Sequence, residues 1–182
     1  MIIYIHGFGS SGEGMKAKLF REHFKAKGFI APSLSYIPDL AIKTLEELIE
    51  SYNGEVKLIG SSLGGFYTLY LSNKYNLKAV LINPSVYPYI TLAKVLGNAP
   101  SFHDESTFTW LPSHIELLKN YEVTSPVQNN FMLLSQKGDE TLDFTQAVDK
   151  LPDSHLLIEE GGNHGFMGIE RHFKAIEVFF EK

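Results

Sequence analysis

Short apolar runs alternate with amphipathic patterns of helical period along most of this 182-residue chain. The runs that predict strands lie at residues 2–5, 29–34, 56–60, 78–82, 130–135 and 154–158. Between them, apolar residues recur at spacings of three and four, which is the period of a helix packed on one face. Because buried strands that alternate with helices form βαβ units, we predict an α/β fold with a mainly parallel sheet and helices on both faces.

The composition is that of an ordinary globular protein, with 44% hydrophobic and 20% charged residues, and we expect one domain over residues 1–182. A net charge of −5 argues against a nucleic-acid partner, which would need a basic face. The lack of cysteine excludes a thiolate nucleophile and cysteine zinc sites. The apolar residues 1–5 lack the basic start of a signal peptide, so we expect a cytoplasmic protein without membrane insertion.

One predicted strand leads into a glycine-flanked serine and then a helix. The residues are Gly60-Ser61-Ser62-Leu63-Gly64, which fit Gly-x-Ser-x-Gly with Ser62 at the centre. Between a strand and a helix this spacing is typical of the nucleophile elbow, a turn so sharp that it exposes the hydroxyl of its central residue. The alternative is an ordinary helix start, at which Ser61 or Ser62 caps the first amides. The motif alone does not separate these two interpretations.

Two further residues that follow strands could activate this serine. A serine hydroxyl becomes a useful nucleophile when a base removes its proton and an acid orients that base. We predict His164 as the base, because it follows the last strand in a glycine-rich loop. For the acid we favour Asp139, which follows the preceding strand; Glu140 and Asp143 are alternatives, and Asp143 could instead cap the next helix. The order Ser62, Asp139, His164 is the order expected of α/β-hydrolases.

Backbone amides from two loops could form the oxyanion hole that acyl transfer requires. The amide of Leu63 follows the predicted nucleophile, and the amide of Phe8 lies in the glycine-rich loop after the first strand. We expect His6, at the end of that strand, to bond the loop backbone and not to act as a second base.

The same loop also fits a dinucleotide-binding fingerprint. Gly7-Phe8-Gly9-Ser10-Ser11-Gly12 is a G-x-G-x-x-G sequence between a strand and a helix. The carboxylate that usually binds the ribose is missing at the end of the next strand, and the motif leaves Ser62 and His164 unexplained. Dinucleotide binding is therefore the weaker alternative. Since the sequence has neither a Gly-Lys-Ser/Thr P-loop nor an HExxH pair, we expect no cofactor and no metal.

Five segments together resemble the small bacterial YqiA-like esterases of the α/β-hydrolase superfamily. They are His6-Gly7-Phe8, Gly60-Ser61-Ser62-Leu63-Gly64-Gly65, Asn83-Pro84, Gly138-Asp139-Glu140 and Gly162-Asn163-His164-Gly165-Phe166. The resemblance runs over almost the whole chain. It implies a cytoplasmic serine esterase or thioesterase with its triad at Ser62, Asp139 and His164. A protein of the same fold that binds a ligand without catalysis is the alternative.

Residues 84–128 interrupt the alternation of strands and helices. No clean strand is apparent, five prolines occur, and two weakly helical pieces lie near residues 91–96 and 113–121. Since a structureless loop of this length is unusual, we interpret the segment as a cap-like insertion. Its aromatic residues could line an acyl pocket, with Tyr87, Phe108 and Trp110 as candidates. The expected partner is a small-molecule ester or thioester with a hydrophobic acyl group; the sequence does not indicate an oligomeric state.

Overall fold

The computed structural model describes residues 1–53 and 55–182. The strands are β1 (Ile2–Ile5), β2 (Phe29–Ile30), β3 (Lys57–Ser61), β4 (Ala79–Ile82), β5 (Gly97–Pro100), β6 (Thr107–Trp110), β7 (Phe131–Gln136) and β8 (His155–Glu159). The helices are α1 (Met15–Phe24), α2 (Pro38–Ser51), α3 (Leu63–Tyr75), α4 (Pro88–Thr91), α5 (Pro112–Lys119), α6 (Phe144–Lys150) and α7 (Phe173–Glu181). Short 3₁₀ turns follow α1 and α4 and precede β7 and α7.

Six of these strands form one sheet in the order β2-β1-β3-β4-β7-β8, and all neighbouring pairs are parallel. The predicted mainly parallel sheet is therefore confirmed. The central strands β1, β4 and β7 are buried along their whole length, as their continuous apolar sequences predict. All loops that leave the carboxyl ends of these strands lie along one edge of the sheet, which is where parallel sheets bind ligands.

Two apolar layers cover the sheet, one on each face, as predicted. On one face, α1 and α7 pack through phenylalanine side chains, with the rings of Phe20 and Phe173 4.9 Å apart. On the other face, α2, α3, α5 and α6 pack against residues such as Ile3 and Leu58. Successive strand residues enter opposite layers because side chains alternate along a strand.

The second strand is shorter than its sequence predicts. The apolar run reaches Leu34, but β2 ends at Ile30. Pro32 has no N–H to donate to a sheet, and the next residues bond the loop after β1 instead. The Leu34 amide donates to Nε2 of His6 at 3.0 Å, and the Gly12 amide donates to Oγ of Ser33 at 3.1 Å.

The second long helix, α2, ends at Ser51, with Tyr52 as its C-cap. The Asn53-Gly54 pair that follows is the sequence signal for a helix end at this point. Asn53 has a positive φ of 52°, as expected after a helix end; residue 54 lies outside the described part of the chain.

The segment of residues 84–128 contains a hairpin, so the expectation that it has no clean strand is wrong. Strands β5 and β6 pair antiparallel and form a separate two-stranded sheet. The first of them, with a glycine and a proline and no β-branched residue, has little strand character. The second strand alternates threonine with aromatic residues, and this alternation is the sequence feature that indicates a strand. The two weakly helical pieces correspond to α4 with its 3₁₀ turn and to α5.

Candidate active site

Ser62 occupies the sharp turn between β3 and α3. Its backbone has φ 55° and ψ −123°, a conformation that costs energy for any residue with a Cβ atom. A methyl group at Gly64 would overlap the carbonyl oxygens of Ile5 and His6, so the turn needs glycine there. Ser62 makes no side-chain capping bond to α3. The helix α3 therefore begins at a strained turn, as the nucleophile-elbow interpretation predicts, and the Ser62 side chain does not cap it.

The loops after β7 and β8 bring two more of the predicted residues to Ser62. His164 Nε2 lies 3.1 Å from Ser62 Oγ. His164 Nδ1 lies 2.8 and 3.0 Å from the two carboxylate oxygens of Asp139. Because an ionised carboxylate only accepts hydrogen bonds, Nδ1 carries the proton and Nε2 is free to accept from the serine hydroxyl. The three side chains form one continuous hydrogen-bonded series.

Asp139 is held as a buried carboxylate. Its side chain is 3% exposed, and its Oδ1 also accepts from the amides of Thr141 and Leu142 at 2.8 and 2.9 Å. Burial raises the pKa of Asp139, but the hydrogen bonds from His164 and from these two amides outweigh burial, so the pKa lies below its ordinary value. A negative charge therefore persists next to the imidazole.

The two alternative acids have other contacts. The Glu140 carboxylate accepts from the backbone amide of His164 at 3.0 Å and does not bond the ring. Asp143 accepts from the amide of Thr145 at 2.9 Å and caps α6, which is the second role that the sequence allowed. The geometry thus favours Asp139 as the orienting acid.

Two buried side-chain amides hold the loop of residues 160–168, which carries His164 and which we call the histidine loop. The sequence did not predict either role. Asn83, directly after β4, donates to the carbonyl oxygens of Asn163 and His164 at 2.9 and 3.1 Å. Gln136, at the end of β7, accepts from the amides of Asn163 and Met167 at 3.1 and 2.9 Å. Both residues are buried. In the sequence, the only indication of these two roles is a polar amide residue at the end of an apolar strand.

The predicted oxyanion amides belong to the loop after β1 and to the first residue of α3. In the part of the chain that the structure describes, neither the Phe8 amide nor the Leu63 amide donates a hydrogen bond to another protein atom. The loop after β1 comes so close that a methyl group on Gly7 would lie 3.1 Å from the Cβ of Ser62. Two unpaired amide donors are therefore available beside the serine.

His6 fixes that loop, as the sequence predicted. Its Nδ1 donates to the carbonyl oxygen of Gly7 at 2.9 Å, and its Nε2 accepts from the amide of Leu34. Burial lowers the pKa of His6 below its usual value, which keeps the ring neutral. The glycines of the dinucleotide-like motif have packing reasons as well, since a methyl group at Gly12 would overlap the carbonyl group of Ala31.

A cavity of about 790 Å³ opens at Ser62 and His164, and we call it the Ser62 cavity. Much of its wall is apolar and comes from α1, the histidine loop and residues 84–128: Leu19, Leu92, Val95, Phe102, Phe166 and Ile169. At its mouth, Met15, Phe102 and Met167 are 82%, 74% and 62% exposed. Lys16 also lines this cavity. An apolar wall of this kind is suited to contact with a hydrocarbon chain.

The three predicted substrate-contacting aromatics do not line this cavity. Trp110 is fully buried, and its Nε1 donates to the carbonyl oxygen of Leu92 at 3.2 Å. Tyr87 packs near the core, with the ammonium of Lys150 5.1 Å from its ring centre. Phe108 lines a second cavity of about 460 Å³ on the other side of Phe8. Folding of β6 into the hairpin explains the difference, because it turns Trp110 into the core.

Within residues 1–53 and 55–182, no helix has the length and apolar character that crossing a membrane requires. The same residues contain no cluster of three or more histidine, aspartate or glutamate side chains that could hold a metal ion.

Solved structures with this architecture come from several organisms. Est1E from Butyrivibrio proteoclasticus, determined with ferulic acid bound, aligns with a TM-score of 0.73 at 12% identity over 99% of this chain and 86% of its own. Alpha/beta hydrolase domain-containing protein 10 from mouse gives 0.73 at 19% identity over 97% and 87%. A monoacylglycerol lipase of Paleococcus ferrophilus gives 0.69 at 15% identity over 99% and 93%. At these identities the likeness establishes the fold.

Sequence relatives cover the chain from end to end. A UPF0227 protein of Vibrio parahaemolyticus is 24% identical, and another of Pectobacterium atrosepticum is 23% identical, each over 98% of both chains. The model of the family described as "Uncharacterised protein family (UPF0227)" matches residues 1–181. The chain therefore belongs to UPF0227, and its fold is that of the α/β-hydrolases, as the resemblance in its motifs predicted.

Proposed function

We propose that this protein is a serine hydrolase that cleaves carboxylic esters or thioesters through an acyl-enzyme. The observation that carries the proposal is the hydrogen-bonded series from Asp139 through His164 to Ser62, which ends at an apolar cavity. The fold supports it, since proteins of this architecture include Est1E, solved with ferulic acid bound, and a monoacylglycerol lipase.

In the first half of the reaction, His164 Nε2 takes the proton of Ser62 as Oγ attacks the acyl carbonyl carbon. The imidazolium that forms is stabilised by the carboxylate of Asp139. The carbonyl oxygen becomes an oxyanion, to which the amides of Leu63 and Phe8 donate hydrogen bonds. His164 then gives its proton to the leaving alcohol or thiol, and the acyl group stays on Ser62.

In the second half, water replaces the alcohol. His164 removes a proton from the water molecule while the water oxygen attacks the acyl-enzyme carbonyl carbon. The bond from the acyl carbon to Ser62 Oγ breaks, the proton returns to Oγ, and a carboxylic acid leaves. Nε2 of His164 carries the proton in both halves of the reaction. It must therefore reach both the serine hydroxyl and the water molecule.

The shape of the site favours a hydrophobic acyl chain. Leu92, Val95 and Phe102 belong to residues 84–128 and form one wall of the Ser62 cavity. In this proposal the segment acts as the cap of a single hydrolase domain, and it holds the acyl chain while Ser62 reacts. Burial of each methylene group contributes about 0.8 kcal/mol, so short alkyl esters should bind more weakly than longer ones.

Covalent labelling with a fluorophosphonate, followed by intact mass and peptide mapping, tests the proposal. We expect one adduct, located on Ser62, that is lost in Ser62→Ala and in His164→Ala. Ser61 is the internal control, because it lies in the same peptide but is buried in β3. A folded wild-type protein that forms no adduct and hydrolyses no aryl ester would contradict the proposal and would favour a ligand-binding protein without catalysis.

A further inference from the structure

Lys16 brings a positive charge into the Ser62 cavity without a protein partner for it. The residue belongs to the first turn of α1 and is half-buried, and it lines the same wall as Leu19, three residues further on. Within the part of the chain that the structure describes, its ammonium makes no hydrogen bond and no ion pair. Lys18, on the same helix, is exposed and does not line the cavity.

The acidic groups around the cavity compensate this charge only in part. The titratable side chains that line it besides Lys16 are Tyr4, His164 and Glu170, with Asp139 behind the imidazole. Glu170 is exposed at the rim and makes no ion pair with Lys16. Asp139 attracts the ammonium, but its oxygens already accept from His164 and two backbone amides. Burial lowers the pKa of Lys16 to about 8, with Asp139 partly offsetting the shift.

A half-buried ammonium without a hydrogen-bond partner has lost part of its hydration, and the attraction of Asp139 offsets only part of that loss. An anionic group of a bound molecule would restore that lost interaction, and a charge-assisted hydrogen bond in such a place is stronger than one in water. The apolar residues on either side of Lys16 would contact the hydrocarbon part of the same molecule.

We propose that Lys16 binds an anionic group of the substrate, so that the preferred substrates are esters or thioesters that carry a carboxylate or phosphate besides the bond that is cleaved. This inference rests on the proposed hydrolysis at Ser62 and adds the substrate class to it. Lys16 thus acts as a specificity-determining residue.

Two matched substrate pairs test the proposal. The first pair is the p-nitrophenyl ester of hexanoic acid and the p-nitrophenyl monoester of adipic acid, which places a carboxylate at the end of the acyl chain. The second is the hexanoyl thioester of 3-mercaptopropanol and that of 3-mercaptopropionate, which places the carboxylate on the leaving group. We expect the ratio of kcat/KM for the anionic over the neutral substrate to fall about 10-fold in Lys16→Met in one of the pairs. The pair that responds identifies the side on which the anion binds.

Two variants separate charge from packing. Lys16→Arg keeps the positive charge and should keep the anion preference, whereas Lys18→Met, the matched change on the exposed side of α1, should leave activity and preference as in the wild type. Between pH 7 and 9 the wild type should lose its preference as Lys16 gives up its proton, and Lys16→Arg should retain it, because arginine stays charged. An equal ratio in wild type and Lys16→Met for both pairs would overturn the proposal.

A binding measurement keeps this test independent of catalysis. Adipic acid monoanilide and hexananilide are amide analogues of the first pair, and their binding to the wild type and Lys16→Met is measured by calorimetry. Weaker binding of the anionic analogue to Lys16→Met, with no such change for the neutral one, supports the proposal even if no ester is hydrolysed. Absence of hydrolysis and labelling, with the binding difference still present, would count against the proposed function only. Equal binding of the anionic analogue to the wild type and to Lys16→Met would count against the role of Lys16.

Discussion

One side chain, that of Asn83, connects the ends of three neighbouring strands. It follows β4, its Oδ1 accepts from the Gln136 amide on β7 at 2.9 Å, and its Nδ2 donates to the histidine loop after β8. Its φ of 39° is in the left-handed region, which asparagine tolerates better than most residues. The position of His164 is therefore set from outside its own loop.

Replacing this residue should impair catalysis more than folding. Asn83→Gly keeps a residue suited to positive φ but removes the bonds to the histidine loop. We expect kcat for an aryl ester to fall about 100-fold, because small misplacement of a catalytic group has effects of that size. Asn76→Gly is the matched control, since Asn76 is exposed, has φ 53° and follows a helix. Full activity in a folded Asn83→Gly protein would show that the position of His164 does not depend on Asn83.

A pair of isosteric changes assigns the acid. Asp139→Asn removes the charge beside His164, and kcat should fall by about 10³–10⁴-fold, as expected when an acid that orients a catalytic histidine is lost. Asp143→Asn should change kcat by less than about 2-fold, because asparagine caps helices as well as aspartate does. Both rates are measured with one aryl ester at constant pH. A large loss in Asp143→Asn alone would mean that the acid is wrongly assigned.

The sequence indicated the residues at strand ends but not the contacts between strands. That Ser62, Asp139 and His164 lie close together could be predicted, because each follows an apolar run and their order along the chain is informative. The roles of Asn83 and Gln136 depend on which strands are neighbours in the sheet, and the order β4-β7-β8 is not readable from the chain. Lys16 likewise looks like one of several helix lysines until the cavity is known.

Among the elements, the hairpin of β5 and β6 departs furthest from what local sequence predicts. Its strands lack the apolar runs of the main sheet because only one side of the hairpin is buried. The aromatic ring of Trp110 fills that side and lies 4.9 Å from the ring of Phe8. Tertiary contacts with the loop after β1, and not strand propensity, hold the hairpin. Tertiary contacts also explain why β2 is short. Beyond its end, hydrogen bonds to His6 and Gly12 replace pairing in the sheet.

Truncation of the hairpin's buried ring should destabilise the protein strongly. Trp110→Ala leaves a large cavity, and we expect the free energy of unfolding in urea to fall by about 3–5 kcal/mol. Phe102→Ala removes an aromatic ring from the same segment, but one that is 74% exposed, and it should cost less than about 1 kcal/mol. Equal losses in both variants would mean that the hairpin is not anchored by Trp110. Circular dichroism follows unfolding in both, since the chain has a single tryptophan.

At the scale of the whole molecule, Glu159 joins the edge of the sheet to the segment that leads into α7. Its carboxylate accepts from Gln136 Nε2 at 2.8 Å, from Arg171 at 2.9 Å and from His172 Nε2 at 2.8 Å. The bond from Gln136, with those from Arg171 and His172, lowers the pKa of Glu159 from 4.5 to about 2 despite partial burial. The charged carboxylate therefore stabilises the folded state.

This stabilisation should depend on pH with a definite sign. Because the folded pKa lies below the unfolded one, the contribution is complete above about pH 4.5 and is lost as the pH falls towards 2. Glu159→Gln should lower the free energy of unfolding by about 1 kcal/mol at pH 7, allowing for solvent screening, and by much less at pH 2.5. Urea titrations at both pH values measure the difference. Glu160→Gln, at the exposed neighbour that pairs with Lys137, should have little effect at either pH, and a pH-independent loss in Glu159→Gln would contradict the assignment.

The position of α7 has a consequence for biosynthesis. Its buried residues Phe173, Ile176, Phe179 and Phe180 cover one face of the sheet, yet the ribosome adds them after every strand. While the chain is being made, the phenylalanines of α1 and the strands beneath them lack half of their cover, and exposed apolar surface of this kind promotes aggregation. His164 also emerges only shortly before this helix. During synthesis, the helix that covers this face and the proposed catalytic base are therefore added within one short stretch of the chain.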